Sequence, residues 1–290
     1  MKDFRDYLER KNYRPGTIEG IERYAGRFLQ WLEEENLTAG TLSYSDLLSF
    51  VRKLKSLDIS IHTINCYLAG VQHYLEHQRK KGKILHNPAV NLRVKGKTES
   101  LPSDLLSRDQ LQQIYDSYLP KTPMQKRNKV ILGFIIYQGL IREELQSLEP
   151  TDLNLNKATI RIRKSVRLQS RTLKLAAEQI LPIKEYLEKI RPELIELKGT
   201  NSGKLLISTG SSDHLKEVTR ELIYHLRKKH TYFKNLLQLR CSLISHWAEE
   251  KNIREVQYMA GHNSIISTQR YTLANMDELK EQLGRFHPLS

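Results

Sequence analysis

Ten residues, Val94 to Ser103 (VKGKTESLPS), constrain the fold of this chain more than any others. They are polar, include a glycine and a proline, and show no apolar period. Such a run supports neither a helix nor a strand and reads as a linker. It follows Asn87-Pro88, where a helical pattern stops, because the residue before a proline is pushed out of the helical region. The expected organisation is one domain over residues 1–95, a linker over 96–106 and a second domain over 107–290. A chain of 290 residues leaves room for a core in each.

The first block reads as helices. Pro15 and Thr17 open one that runs to about Glu35, with Ile18, Ile21, Tyr24, Ala25, Phe28, Leu29 and Leu32 on one face. Ser45 is the expected cap of a second, carrying Leu47, Leu48, Val51 and Leu54. Ser60 caps a third, which bears Ile64, Leu68, Val71 and Leu75 and ends in the basic run Arg79, Lys80, Lys81, Gly82, Lys83. A short helix is expected near Lys2 to Arg10. The basic run is either the solvated end of a bundle or a surface facing a polyanion.

The second block mixes periods. Ser107 caps a helix over Gln110 to Tyr118, and an apolar helix over about Arg127 to Gln138 stops at Gly139. Glu143 to Leu148 continues helical up to Pro150. Ala158 to Arg163 (ATIRIR) and Arg171 to Leu175 (RTLKL) alternate as the strands of a hairpin, and Lys204 to Ser208 (KLLIS) is expected as a third strand. His214 to Lys229 is helical again. The fold class is therefore mainly α with a small antiparallel β-sheet.

Charge narrows the partner. The formal net charge is +14 and the pI near 9.6. The excess is present on both sides of the linker, +5 over residues 1–100 and +9 beyond. Such a balance suits nucleic acid or an anionic membrane surface. No run approaches the ~20 apolar residues of a membrane span, and the N-terminal MKDFRDYLER lacks an apolar signal core. Nucleic acid is thus favoured over membrane. The two cysteines, Cys66 and Cys241, have no close sequence partner and point to a reducing cytoplasm, with neither a disulfide framework nor a metal site.

The chemistry concentrates between Leu239 and Thr272. Arg240 is expected to open an amphipathic helix. A second helix, about Ile253 to Ala260, ends on Gly261, and His262 follows at once. Tyr271 comes nine residues later, behind Ser267, Thr268, Gln269 and Arg270. An arginine forks onto two phosphate oxygens, a histidine donates a hydrogen bond or a proton, and a tyrosine attacks phosphorus and holds the phosphoryl group covalently. Together they would build a phosphoryl-transfer site.

Leu239-Arg240, Ala260-Gly261-His262 and Tyr271 resemble the L-R-H box, the L-G-H box and the nucleophilic tyrosine of the tyrosine recombinase (phage integrase) family. Weaker similarity extends over almost the whole chain. The resemblance implies a helical core-binding domain clamping duplex DNA, followed by a mixed α/β catalytic domain. It implies cutting and rejoining of DNA through a 3′-phosphotyrosine intermediate, without metal or other cofactor, by a homo-tetramer on paired DNA sites. Accessory DNA-bending or directionality factors go with that activity, as does a prokaryotic, cytoplasmic, DNA-associated setting. In residues, it implies Tyr271 as nucleophile, Arg240 and His262 as stabilisers of the phosphorane, and Lys164, in the hairpin turn KSVRLQS, as general acid. Glu144 would support the arginines. Arg79, Lys80, Lys81, Lys83 and Arg167 would contact DNA, Arg167 being unable to act as an acid because a guanidinium keeps its proton near neutral pH.

Two positions depart from the family pattern. Its first arginine box, T-G-L-R-x-x-E-L, aligns on Gly139-Leu140 and Glu144-Leu145 so that Ile141 holds the arginine position and Arg142 lies one residue later. One residue is ~100° of helix rotation, so Arg142 enters the site only if the turn after Gly139 presents it. Arg161, Arg163, Lys164 and Arg167 are the other sources of that charge. The histidine three residues before the second arginine falls on Leu237, and the second histidine of L-R-H on Cys241. A catalytically impaired DNA-binding accessory protein, a site-independent topoisomerase and a basic adaptor for RNA or acidic protein are the rival readings. The apolar stripe Met276, Leu279, Leu283, Phe286 either packs on its own domain or docks on a neighbouring protomer.

Overall fold

A computed structural model describes residues 1–96, 104–165, 168–199, 202–210 and 214–272. The chain divides into two compact units, Met1–Thr98 and Glu99–Ser290.

The first unit packs α1 (Lys2–Arg10), α2 (Pro15–Glu34), α3 (Tyr44–Lys55) and α4 (Ile61–Lys80). Pro15 starts α2, where a missing N–H costs nothing. Ser43, not Ser45, caps α3. Its hydroxyl accepts from Asp46 N (3.2 Å) while Asp46 Oδ2 accepts from Ser43 N (2.9 Å), a reciprocal box that Ser45 cannot make from inside the first turn. Phe28, Trp31 and Phe50 form the aromatic centre, with Leu47, Leu54, Ile64, Leu68 and Val71 closing it. Helices α2 and α4 touch so closely at Gly70 that a Cβ there would lie 2.7 Å from Tyr24 Cβ. After α4 the chain doubles back, held by Asn65, which donates to Val94 O (3.0 Å) and accepts from Val94 N (2.9 Å).

The second unit is built round α6 (Pro123–Gln138), whose residues Val130–Ile136 are buried throughout. A Thr122–Gln125 box starts α6 earlier than the apolar run suggests, and left-handed Gly139 (φ 63°) ends it. In front of it lies α5 (Arg108–Ser117), capped by Ser107, and behind it the short α7 (Arg142–Ser147). The sheet is β1 (Leu153–Asn154), β2 (Thr159–Ile162) and β3 (Arg171–Lys174), antiparallel in the order β1-β2-β3, with Ile160 opposite Leu173 and Ile162 opposite Arg171.

The expected strand at Lys204–Ser208 is not one. Its backbone is bound by scattered partners instead: Leu205 N donates to Leu148 O (2.7 Å), Leu205 O accepts from Tyr186 Oη (3.0 Å), and Ile207 O accepts from buried Arg127 (2.8 Å). With its polar groups satisfied that way, the apolar run is buried without joining a ladder. Residues 177–198, unassigned from sequence, are helical: α8 (Ala177–Glu185), a π turn over Tyr186–Ile190, and α9 (Arg191–Lys198). Pro192 lacks the N–H for an α-type bond there, which suits the widened turn. Then α10 (Lys216–Lys229), α11 (Leu236–Glu250) and α12 (Ile253–Ala260) follow, and residues 265–272 are helical.

Candidate active site

Arg240 sits one turn inside α11, not at its start, because Asn235 caps the helix five residues earlier through Gln238 N (2.9 Å). That turn carries the side chain inward, leaving it 5% exposed. Its Nη1 donates to Gly139 O, and its Nη2 donates to Ala260 O at 2.7 Å. Both carbonyls belong to helix ends closed by left-handed glycines, Gly139 after α6 and Gly261 (φ 71°) after α12. The guanidinium therefore bridges two helix C-termini, where orphan carbonyls and the negative dipole end favour a cation. Burial pushes its pKa down and Glu144 pulls it back up, yet a guanidinium stays charged at neutral pH.

The turn at Gly261 presents His262. Its Nδ1 is bound to Thr268 Oγ1 (2.9 Å), which leaves Nε2 for a substrate oxygen. Burial first, then the fields of Arg240 and Arg171, lower the imidazole to about 4. A pKa lowered that far favours the uncharged imidazole at neutral pH, which can offer a hydrogen bond but is no ready proton donor. Tyr271 lies against it, ring centroids 5.9 Å apart and planes 19° from parallel. The Tyr271 hydroxyl meets Cys241 Sγ at 3.7 Å, and the residue is 7% exposed. Burial and Cys241 hold this phenol above the ordinary tyrosine range, against the pull of Arg240. For this hydroxyl to act as a nucleophile, it would need both access and removal of its proton.

Leu237 is 58% exposed on the open side of α11, so no imidazole substitute comes from that position. Lys164 is exposed in the loop after β2. That loop is anchored to the histidine turn: Gln169 N donates to Gly261 O (2.8 Å) and Leu168 bridges to His262. Arg167 lies outside the described residues, as does the stripe from Met276 to Phe286.

Arg142 is exposed at the first position of α7. Glu144, two residues on and ~200° round the helix, is wholly buried. The arginine that meets Glu144 is one that motif spacing does not single out, Arg171. It donates through Nη1 (2.5 Å) and Nη2 (3.2 Å) to the two carboxylate oxygens, and neither side chain is exposed at all. A signal for it is present in the sequence: in RTLKL, Arg171 shares the inward face with Leu173 and Leu175. Of the other proposed charge sources, Arg163 is held by Asp152 (3.1 Å) and Glu149 (2.7 Å), and Arg161 is exposed.

The basic run belongs to the first unit. Arg79 is paired with Glu76 (2.8 Å) and Lys81 with Asp3, while Lys80 and Lys83 are exposed. No described helix is long and apolar enough to cross a membrane.

Known proteins resemble this chain over most of its length. The model of the phage integrase family matches residues 104–278. Tyrosine recombinase XerD of Listeria monocytogenes serovar 1/2a is 27% identical over 301 residues, covering 99% of this chain and 98% of the relative. Tyrosine recombinase XerA of Thermococcus kodakarensis is 26% identical over 285 residues, covering 97% and 93%. Among solved structures, the Tn1549 transposon integrase in complex with transposon right end DNA superposes with a TM-score of 0.68 at 16% identity, covering 98% of both chains. XerH bound to palindromic difH substrate superposes at 0.66 with 18% identity, covering 83% of this chain and 71% of the other. These likenesses establish the fold.

Proposed function

The chain belongs to the phage integrase family, and from that premise we propose that it is a site-specific DNA recombinase working through a 3′-phosphotyrosine. The Tyr271 hydroxyl attacks the scissile phosphate, the 5′-oxygen leaves, and a 5′-hydroxyl from the same or a partner duplex later displaces the tyrosine. The phosphodiester energy is kept in the covalent link. Arg240 and His262 Nε2 stabilise the phosphorane, Lys164 protonates the leaving oxygen, and exposed Arg142 is available to a phosphate oxygen. Lys80, Lys83, Arg79 and Lys81 hold the duplex backbone from the helical unit. A homo-tetramer on paired sites carries out the exchange, with accessory factors directing it, as part of a mobile element in a prokaryotic cell.

The observation that carries this reading is the stacking of Tyr271 on His262 within the field of Arg240. It brings together three residues separated by 9 to 31 positions in sequence. The experiment is a nicked duplex whose cut end diffuses away, so that cleavage traps the enzyme. Wild-type chain gives a covalent protein–DNA adduct and Tyr271→Phe gives none at unchanged DNA affinity. Ile141 and Leu237, standing where the family pattern has arginine and histidine, favour the second reading, a DNA-binding accessory protein. Binding of duplex without any adduct would establish that instead.

A further inference from the structure

We propose that Arg171 is a positioning residue that locks three pieces of the active site into one register: the start of α7, the loop bearing Lys164 and the Gly261-His262 turn. All three are joined through one buried guanidinium. Its fork holds Glu144 (2.5 and 3.2 Å), and Glu144 Oε2 in turn accepts from Ile141 N (3.1 Å), which fixes the first turn of α7. Nη1 also reaches Gln169 O (3.4 Å), in the loop whose Gln169 N is bound to Gly261 O (2.8 Å). At Gly261 itself the guanidinium fills the space of a side chain: a Cβ there would lie 2.5 Å from Nη1 and 3.0 Å from Cζ. The turn that aims His262 is thus moulded on Arg171.

Stability does not account for the pair. Two ions with no exposure are costly to desolvate, and apolar residues of the same volume commonly do as well or better. Here the cost is higher still, because Arg171 Nε is buried with no hydrogen-bond partner among the described residues. What an apolar pair cannot supply is direction: a fork bonding two carboxylate oxygens sets both distance and plane. With Ile141 in place of the family's arginine, Glu144 has its cation from β3 rather than from its own turn, and the strand becomes part of the catalytic frame.

The inference draws on the recombinase reading for one readout only. The variant pair Arg171→Met with Glu144→Leu removes both ions together, so neither is left buried alone, and Arg171→Lys keeps the charge without the fork. We measure thermal unfolding, duplex affinity, the rate of adduct formation on the nicked duplex, and the imidazole resonances of His262 with their through-space coupling to the Tyr271 ring. The double variant is expected to unfold at or above the wild-type temperature and to bind duplex as well as wild type. Its adduct should form about 10²-fold more slowly, the effect of a displacement near 1 Å, and the His262 and Tyr271 rings should no longer be stacked. Arg171→Lys should fall between. A folded double variant with the wild-type adduct rate and stacked rings overturns the proposal. If wild type itself makes no adduct, the recombinase reading fails, and the two rings in the double variant still decide the role of Arg171: unstacking supports it, and stacking as in wild type refutes it.

Discussion

His262 and Tyr271 stack with centroids 5.9 Å apart, and Nδ1 of the histidine is tied to Thr268. Tyr271 is buried and His262 half-buried beside Arg240 and Arg171, and desolvation with those two cations holds the imidazole at about 4. A free imidazole titrates near 6.5, so between those values the unfolded chain takes up a proton that the folded chain refuses. Stability from this group is therefore full above pH 6.5 and is lost as pH falls toward 4. The loss is about 2 kcal/mol once partial exposure is allowed for. Thermal unfolding followed from pH 7 to pH 4 should show a steeper decline for wild type than for His262→Gln. Parallel curves would refute it.

Gly261 and Gly199 both adopt left-handed backbone, φ 71° and 69°, but only Gly261 is crowded. An alanine at 199 meets no described residue within 4 Å and loses about 1 kcal/mol to the backbone alone. An alanine at 261 must also displace the Arg171 guanidinium, which raises the cost to about 2–4 kcal/mol. Urea unfolding of Gly199→Ala and Gly261→Ala measures the difference. Equal midpoints would show that the guanidinium yields freely.

Lys164, exposed on a loop anchored to the histidine turn, is proposed as the general acid. Lys164→Ala should slow adduct formation about 10²- to 10⁴-fold on an ordinary duplex. On a duplex with sulfur in place of the bridging 5′-oxygen the leaving group is a thiolate that needs no proton, and the variant should then match wild type. Persistence of the defect on the sulfur substrate would assign Lys164 a different role.

Lys80 and Lys83 make no close ion pair among the described residues, unlike Arg79 and Lys81. Each phosphate contact adds about 0.9 to the slope of log affinity against log salt. Replacing Lys80 and Lys83 by alanine together should flatten that slope by nearly 2, whereas Arg79→Ala, which frees Glu76, should change it less. A slope that does not move places the duplex elsewhere.

Cys241, where the family's second box has histidine, is buried, and burial raises its thiol. Alkylation at pH 8 should modify Cys66 first and leave Cys241 protected until the second unit unfolds. Early labelling of Cys241, read by mass spectrometry, would mean that the Tyr271 ring does not cover it in solution.

The residues by themselves determined most helices and the arginine–histidine–tyrosine spacing, because caps, periods and glycine stops act within a few positions of chain. They also told that Ile141 breaks the arginine box. They did not tell where Glu144 finds its cation, since Arg171 is 27 positions away and its inward direction depends on which face of β3 meets the core. Nor did they tell that KLLIS is buried without pairing, which rests on side-chain donors from α6 and the π turn. Where a bond joins neighbours in the chain, local geometry decides it. Where a charge must be desolvated and matched across elements, only the packed fold supplies the partner.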